Sequence, residues 1–412
     1  MDVKILPGKL KGSVEIPSSK SVSHRALICA ALAKGESVLS GISLSKDIEA
    51  TINGLIAMGA EIEVNNDAIK VKGIENPPES CIIDCFESGS TLRFLIPVAV
   101  ALGISAVFKG AGKLPQRPIT PYLREFDGKG VKFDYAGTMP FEIKGKLSGG
   151  EYRLEGDISS QFVTGLLFAL PLCSEDSVIT MLSPLQSKPY ADLTIDCLKK
   201  SGIKIEENEK GYFIKGGQSY SPFSEKIEGD YSQAAFFYVA NALGSEIEIL
   251  NLNPKSVQGD KKIIEIINDI MYTDKKGQEP FSVDVGDIPD LVPILAVLGC
   301  FGGKIFRITN ASRLRIKESD RLETTASLLN SLGGKVEVFD DSLTVYPINE
   351  FSGGEVDSFN DHRIAMAASI AATRSKSPVI IRNANAVEKS YPDFFNDFNK
   401  LGGNANVIRL EP

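Results

Sequence analysis

The stretch Glu87-Ser88-Gly89-Ser90-Thr91-Leu92-Arg93-Phe94-Leu95-Ile96-Pro97-Val98-Ala99-Val100-Ala101-Leu102-Gly103 sets the pattern for the whole chain. It opens with small polar residues, whose side-chain oxygens cap free N–H groups at a helix start. It continues as a run of helical length that is apolar on every side, and such a helix is buried rather than laid on a surface. The pairing recurs at Pro17-Ser18-Ser19-Lys20-Ser21, Asp157-Ile158-Ser159-Ser160-Gln161, Gly229-Asp230-Tyr231-Ser232-Gln233, Gly286-Asp287-Ile288-Pro289-Asp290 and Phe359-Asn360-Asp361-His362-Arg363. The apolar runs behind these clusters cover residues 26–33, 162–171, 234–244, 291–299 and 364–373.

After each buried helix comes a β-like run such as Val178-Ile179-Thr180-Met181-Leu182 or Val379-Ile380-Ile381-Arg382. A second, amphipathic helix then tends to end on a Leu/Met-Gly signature, as at Met58-Gly59, Leu332-Gly333 and Leu401-Gly402. Glycine there is a C-cap, because it takes the left-handed conformation without a Cβ clash. Each unit therefore reads strand, helix, strand, helix, strand, repeating at about seventy residues. The fourth unit, Asp230 to Tyr272, is trimmed. Six units predict an α/β protein of two domains with three units each, buried helices surrounded by sheets. The break falls before Gly229-Asp230, and the opening strand, Val3 to Lys9, fits either half.

A chain of 412 residues buries enough surface to need no metal or disulfide staple. Its net charge of -8 argues against sequence-independent nucleic-acid binding, which needs a basic footprint. Cys29, Cys81, Cys85, Cys173, Cys197 and Cys300 are scattered and read as small core residues. Cys81 and Cys85 have a metal-like spacing but no second ligand pair, and with His24 and His362 the only histidines, no metal site is expected. The first residues lack the apolar core of a signal peptide. The longest apolar stretch, Phe94 to Phe108, falls short of the ~20 residues a membrane span needs. A cytoplasmic address without membrane association is expected.

Any one polar cluster is an ordinary N-cap. Six helix starts aimed at one cleft would sum their positive dipole ends into an anion site. Cations gather near the same places: Lys20, Arg25, Arg93, Arg117, Lys317, Arg321, Arg363 and Lys389. Lys317 and Arg321 also fit a solvated i,i+4 face with Glu318 and Asp320 as partners. Arg25 and Arg93 fall on or beside apolar helices, where an unpaired charge is costly, so they call for a buried anion. Arginine forks suit carboxylate and phosphate.

At these residues the sequence resembles the EPSP synthase (3-phosphoshikimate 1-carboxyvinyltransferase) family of enolpyruvyl transferases over essentially its whole length. The matching stretches are Pro17 to Arg25, Ser88 to Arg93, Gln116-Arg117-Pro118, Ser159-Ser160-Gln161-Phe162 and Ser187-Lys188-Pro189-Tyr190. Further on they are Ile288-Pro289-Asp290, Lys317-Glu318-Ser319-Asp320-Arg321, Asn360-Asp361-His362-Arg363 and Lys389-Ser390-Tyr391-Pro392-Asp393. The resemblance implies two inside-out α/β barrel-like domains, 17–228 and 1–16 with 229–412, and an active site in the cleft between them. It implies phosphoenolpyruvate and shikimate 3-phosphate as substrates, no cofactor, no metal, and a monomer. Shikimate 3-phosphate would be held by Lys20, Ser21, Arg25, Ser159, Ser160, Gln161, Ser187, Asp290 and Lys317. Phosphoenolpyruvate would be held by Lys20, Gly89, Arg117, Gln161, Arg321, Arg363 and Lys389. Asp290 would accept the proton of the attacking hydroxyl and Glu318 would protonate the methylene carbon, with Lys20 between the two ligands.

The chemistry calls for these residue types. Four anionic groups on two substrates need several fixed cations, and the addition needs one ionised and one protonated carboxyl group. Glu87, Ser90, Phe94 and Arg313 depart from the family's common residues; Arg313 stands where an Asn often touches the shikimate phosphate. The nearest rival is UDP-N-acetylglucosamine enolpyruvyl transferase, which usually carries a cysteine in the second-unit loop; residues 109–117 have none. A second rival is a non-catalytic phosphometabolite-binding protein, which would lack a paired acid and base.

Overall fold

The computed structural model describes residues 1–65, 68–272 and 280–409. Six helices follow the six polar clusters: α1 (Lys20–Leu32), α2 (Gly89–Ala101), α3 (Ser160–Ala169), α4 (Tyr231–Ala242), α5 (Val292–Gly299) and α6 (His362–Ala372). All eight residues of α5 are buried, as are twelve of the thirteen in α2. Five of the six starts are capped by a side chain at the predicted place: Ser19, Ser88, Ser159, Asp230 and Asp361 each accept a backbone N–H. The exception is α5, which is entered through a short 3-10 turn, Pro289–Leu291.

The first, second, third and fifth units end with one strand more than the periodicity predicted. In the third unit, strand Gly150–Leu154 runs parallel to Ser177–Met181 across the buried helix, and a hairpin of Ile205–Asn208 and Gly211–Ile214 completes the sheet. The second and fifth units repeat this order, and so does the sixth, with the N-terminal strand Asp2–Leu6 filling the inner hairpin position beside Val379–Arg382. A hairpin whose strands are four or five residues long carries too few alternations to stand out in sequence.

The chain splits into two compact units, Met1–Pro17 with Gly229–Pro412, and Ser18–Glu228. An exchange of strands explains the split. Strand Lys11–Glu15, just before α1, pairs in parallel with Glu246–Leu250, which follows α4. Strand Ser224–Lys226, just before α4, pairs in parallel with Glu36–Ser40, which follows α1. Pro17 sides with the N-terminal strand, since its carbonyl accepts the Asp230 N–H at 3.0 Å, while Ser19 N–H goes to Glu228 at 2.7 Å. Each unit has its own apolar core, built on its three buried helices. Strands alternate instead, as in Gly150–Leu154, where only Tyr152 and Leu154 are fully buried. The fold is thus α/β and inside-out, with helices at the centre and sheets around them.

Candidate active site

In residues 18–228, the cations expected to meet anions are arranged at helix starts. Arg25 lies within α1, buried; its Nε donates to Thr194 Oγ1 at 2.8 Å, and its Nη atoms donate to the carbonyls of Ser21 and Tyr190 at 2.7 and 2.8 Å. All three acceptors are neutral, and among the described residues no carboxylate pairs with it. Burial without a counter-charge draws its pKa down to about 10. Such a guanidinium is stabilised by any anion brought to it.

Arg117 follows a short 3-10 turn, Leu114–Gln116, and lays its guanidinium over the first turn of α2. A Cβ on Gly89 would stand 2.6 Å from Arg117 Nη1, so only glycine leaves room for this approach. The Nε of Arg117 is buried without a hydrogen-bond partner, and among the described residues the side chain has no ion pair. A cation and a helix N-terminus, both positive, are thus packed together, an arrangement that favours a bound anion.

The start of α3 is tied to the start of α2. Ser159 caps α3; Gln161 donates from Nε2 to Ser90 Oγ at 3.0 Å and accepts at Oε1 from Arg93 Nη1 at 2.6 Å. Arg93, expected to face an anion, also donates to the Pro118 carbonyl at 3.3 Å and lies over the Phe162 ring. It therefore orients Gln161. Lys20 pairs with Asp47 at 2.8 Å, a partner that sequence reasoning missed. The signal was there in the acidic first turn of helix Lys46–Ala57 after Ser45. Ser187 stands at the start of helix Lys188–Lys200 with φ of 57°, a left-handed conformation uncommon outside glycine and frequent at functional sites. Ser21 and Ser160 lie in the first turns of α1 and α3.

The other unit brings Asp290, Lys317, Glu318, Arg321 and Arg363 into one cluster. Arg321 opens helix Arg321–Ser331 behind the cap Asp320. Its Nη1 donates to Asp290 at 2.7 Å, its Nη2 to Glu318 at 2.7 Å and its Nε to Asp361 at 2.8 Å. Arg363 Nη2 reaches the other Asp290 oxygen at 2.9 Å, and Lys317 Nζ lies 3.8 Å from Asp290. Burial works to raise the Asp290 pKa, but Arg363, Lys317 and Arg321 outweigh it and hold the carboxyl well below the usual carboxylate range. Burial pushes Lys317 down to about 8 despite the charge of Asp290. Of the solvated face weighed for Lys317 and Arg321 with Glu318 and Asp320 as partners, only the Arg321–Glu318 pair forms, and Arg321 is buried in it. Arg315 takes Asp320, at 2.9 Å, and the Arg321 side chain is 1% exposed.

Lys389, at the end of the 3-10 segment Ala384–Lys389, donates to the Asn360 carbonyl at 2.7 Å, beside the cap of α6. Arg313 donates to the Gly286 carbonyl at 2.6 Å. Asp260, absent from the sequence-based set, accepts from the Ser232 hydroxyl at the start of α4 and is buried. Its pKa rises to about 7 through burial and the charge of Asp290, against the pull of Arg363 and Ser232. Among the described residues, no group of three or more His, Cys, Asp or Glu side chains could hold a metal ion, and no helix is long and apolar enough to cross a membrane.

Inside-out α/β units of three repeats, helix starts dressed with cations, and two carboxylates sharing one arginine define a class of protein that handles several anionic groups at once. Comparison with known proteins agrees. A family model for EPSP synthase (3-phosphoshikimate 1-carboxyvinyltransferase) matches residues 6–398. A 3-phosphoshikimate 1-carboxyvinyltransferase of Clostridium perfringens is 46% identical over 419 residues, covering 97% of this chain and 98% of the relative. One of Clostridium acetobutylicum is 45% identical, with 99% of both chains covered. The solved EPSP synthase of Acinetobacter baumannii is similar with a TM-score of 0.81 at 24% identity, over 98% of this chain and 100% of that one, which shows the shared fold. The chain belongs to the EPSP synthase family, and it is an enolpyruvyl-transferring enzyme.

Proposed function

We propose that the enzyme moves the enolpyruvyl group of phosphoenolpyruvate onto the 5-hydroxyl of shikimate 3-phosphate, a step toward aromatic amino acids. The observation that carries this reading is Arg321, which holds Asp290 on one Nη and Glu318 on the other, each at 2.7 Å. A binding module has no use for two acids on one guanidinium; an addition–elimination needs a base and an acid close together.

In the addition, the 5-hydroxyl oxygen bonds to C2 of phosphoenolpyruvate while its proton passes to Asp290. Glu318 gives a proton to C3, which becomes a methyl group, and a tetrahedral intermediate results. In the elimination, the C2–O bond to phosphate breaks with its electron pair going to the departing oxygen, which takes the proton held by Asp290; C3 returns a proton to Glu318, and the double bond re-forms. Asp290 suits the first role because three cations keep it ionised. Substrate phosphate and carboxylate groups draw Lys317, Arg321 and Arg363 toward themselves, and a less compensated Asp290 is a stronger base. Lys20, Ser21, Arg25, Ser159, Ser160, Gln161, Ser187 and Lys317 hold shikimate 3-phosphate. Lys20, Gly89, Arg117, Gln161, Arg321, Arg363 and Lys389 hold phosphoenolpyruvate. Both units thus serve one pair of substrates, in a cytoplasmic monomer without cofactor.

The test is phosphate release on mixing the enzyme with both substrates. Release is expected from the wild type, and its absence would end the reading. Asp290→Asn and Glu318→Gln should each lower turnover by about 10²–10⁴-fold with binding of both substrates retained. Turnover that survives either change would contradict the assigned roles.

A further inference from the structure

One buried titratable group has no part in the chemistry above. His24 lies on α1, 1% exposed, one residue before Arg25. Its Nδ1 is 2.7 Å from Thr51 Oγ1. Thr51 Oγ1 is 2.6 Å from Thr91 Oγ1 on α2, and Thr91 donates to Ser88 Oγ, the cap of α2, at 2.8 Å. Thr51, Thr91 and Ser88 are 0% exposed, so water does not compete for these bonds.

The protons can be assigned. Each hydroxyl has one to give. Thr91 spends its proton on Ser88, so the contact between Thr91 and Thr51 needs the proton of Thr51. His24 Nδ1 must then carry a hydrogen and donate it to Thr51. The imidazole is neutral, because burial, with Lys20 and Arg25 nearby, holds its pKa well below the usual value. The result is a one-way chain, His24 to Thr51 to Thr91 to Ser88, in which Thr51 carries the hydrogen bonding from α1 to α2, beside the contacts of His24 and Arg25 with the Phe94 ring.

The link sits where both anion-binding helix starts can be set from one place. Thr51 belongs to helix Lys46–Ala57, which also carries Asp47, the partner of Lys20. One turn further on, a Cβ on Gly54 would stand 2.7 Å from Leu95 Cδ1 of α2, so glycine permits the close packing that lets Thr51 reach Thr91. At one end of the chain are Lys20, Ser21 and Arg25 on α1. At the other is the first turn of α2, with Gly89 under Arg117.

We propose that Thr51 is a positioning residue that locks the start of α1 to the start of α2, so that an anion held at one stiffens the site for an anion at the other. The inference rests on the reading that these two starts serve shikimate 3-phosphate and phosphoenolpyruvate. Thr51 touches neither substrate; it acts through His24, Thr91 and Asp47's helix.

Two variants of the whole enzyme test it. Thr51→Val keeps the volume and removes the hydroxyl; Thr51→Ser keeps the hydroxyl. Calorimetry gives the affinity for each substrate alone and in the presence of the other, with kinetics run in parallel. In the valine variant, the strengthening of one substrate's binding by the other should fall by about 5–10-fold, the size of a modest coupling between sites. Its KM for phosphoenolpyruvate should rise to match, while kcat at saturation stays within about 3-fold. Serine should restore both quantities. A valine variant with wild-type coupling and KM would overturn the inference, and so would a serine variant as impaired as valine. Failure of the wild type to release phosphate would instead overturn the proposed function, so the two failures are distinguishable.

Discussion

The two units hold their cations in opposite ways. In residues 18–228, Arg25 rests on two carbonyls and a threonine hydroxyl, and Arg117 lies over a helix start with no ion pair among the described residues. In the other unit, Arg321 is spread over three carboxylates, and Asp290 is shared by Arg321, Arg363 and Lys317. The first arrangement is short of negative charge and favours an anionic ligand. The second is neutralised internally, and its cations keep Asp290 ionised before any ligand arrives. In the proposed function both arrangements bind anions, and only the second also carries the two acids assigned to proton transfer. Lys20 with Asp47 is the exception in the first unit, a cation held in place by its own counter-ion.

The contrast fails most visibly if the arginines are interchangeable in their effect on stability. Arg321→Ala strips Asp361, whose side chain is 0% exposed, of its arginine and leaves the buried charge with only the Ser319 hydroxyl and the α6 backbone N–H as hydrogen-bond partners among the described residues. Denaturant unfolding should show a loss of about 3–5 kcal/mol. A loss below about 1 kcal/mol would mean that the cluster is solvated after all.

Arg117→Ala should show the reverse profile. With no protein partner to strand, it should shift unfolding by no more than about 0.5 kcal/mol. It should weaken phosphoenolpyruvate binding by about 2–3 kcal/mol, read as a rise in KM. Unchanged KM would remove Arg117 from the anion site and with it half of the comparison.

A pH-dependent effect sharpens the second arrangement. Asp260 is pushed up to about 7 in the folded protein, above the unfolded value near 4. The folded state therefore binds the proton more tightly, so the stability this group contributes is present below about pH 4 and lost as pH rises through about 7. Asp260→Asn keeps an acceptor for the Ser232 hydroxyl and cannot ionise. Its unfolding free energy, measured from pH 4 to pH 8, should fall less steeply than that of the wild type. Parallel pH profiles would show that Asp260 does not titrate in this window.

Much of the fold was legible because its signals are local. A polar cap followed by a run that is apolar all round specifies a buried helix from a dozen residues, and Ser19, Ser88, Ser159, Asp230 and Asp361 cap where the clusters predicted. The second strands of the closing hairpins were not legible, since strands such as Gly211–Ile214 are too short to show a period. Nor was the strand exchange that carries Lys11–Glu15 to Glu246–Leu250, because either half offered a partner of suitable pattern.

By itself the sequence determined six buried helices, five of them capped where predicted, in two groups of three, which side chains bear charge, and where those charges fall relative to helix starts. Only the tertiary structure decided which charges are compensated. Arg25 finds Thr194, 169 residues away, and Arg321 finds Asp361, 40 residues away, through contacts that depend on how whole units pack. Capping and burial of a helix are settled within one or two turns of chain. Pairing of charges is settled by distance and dielectric in three dimensions, and neither can be read along a line.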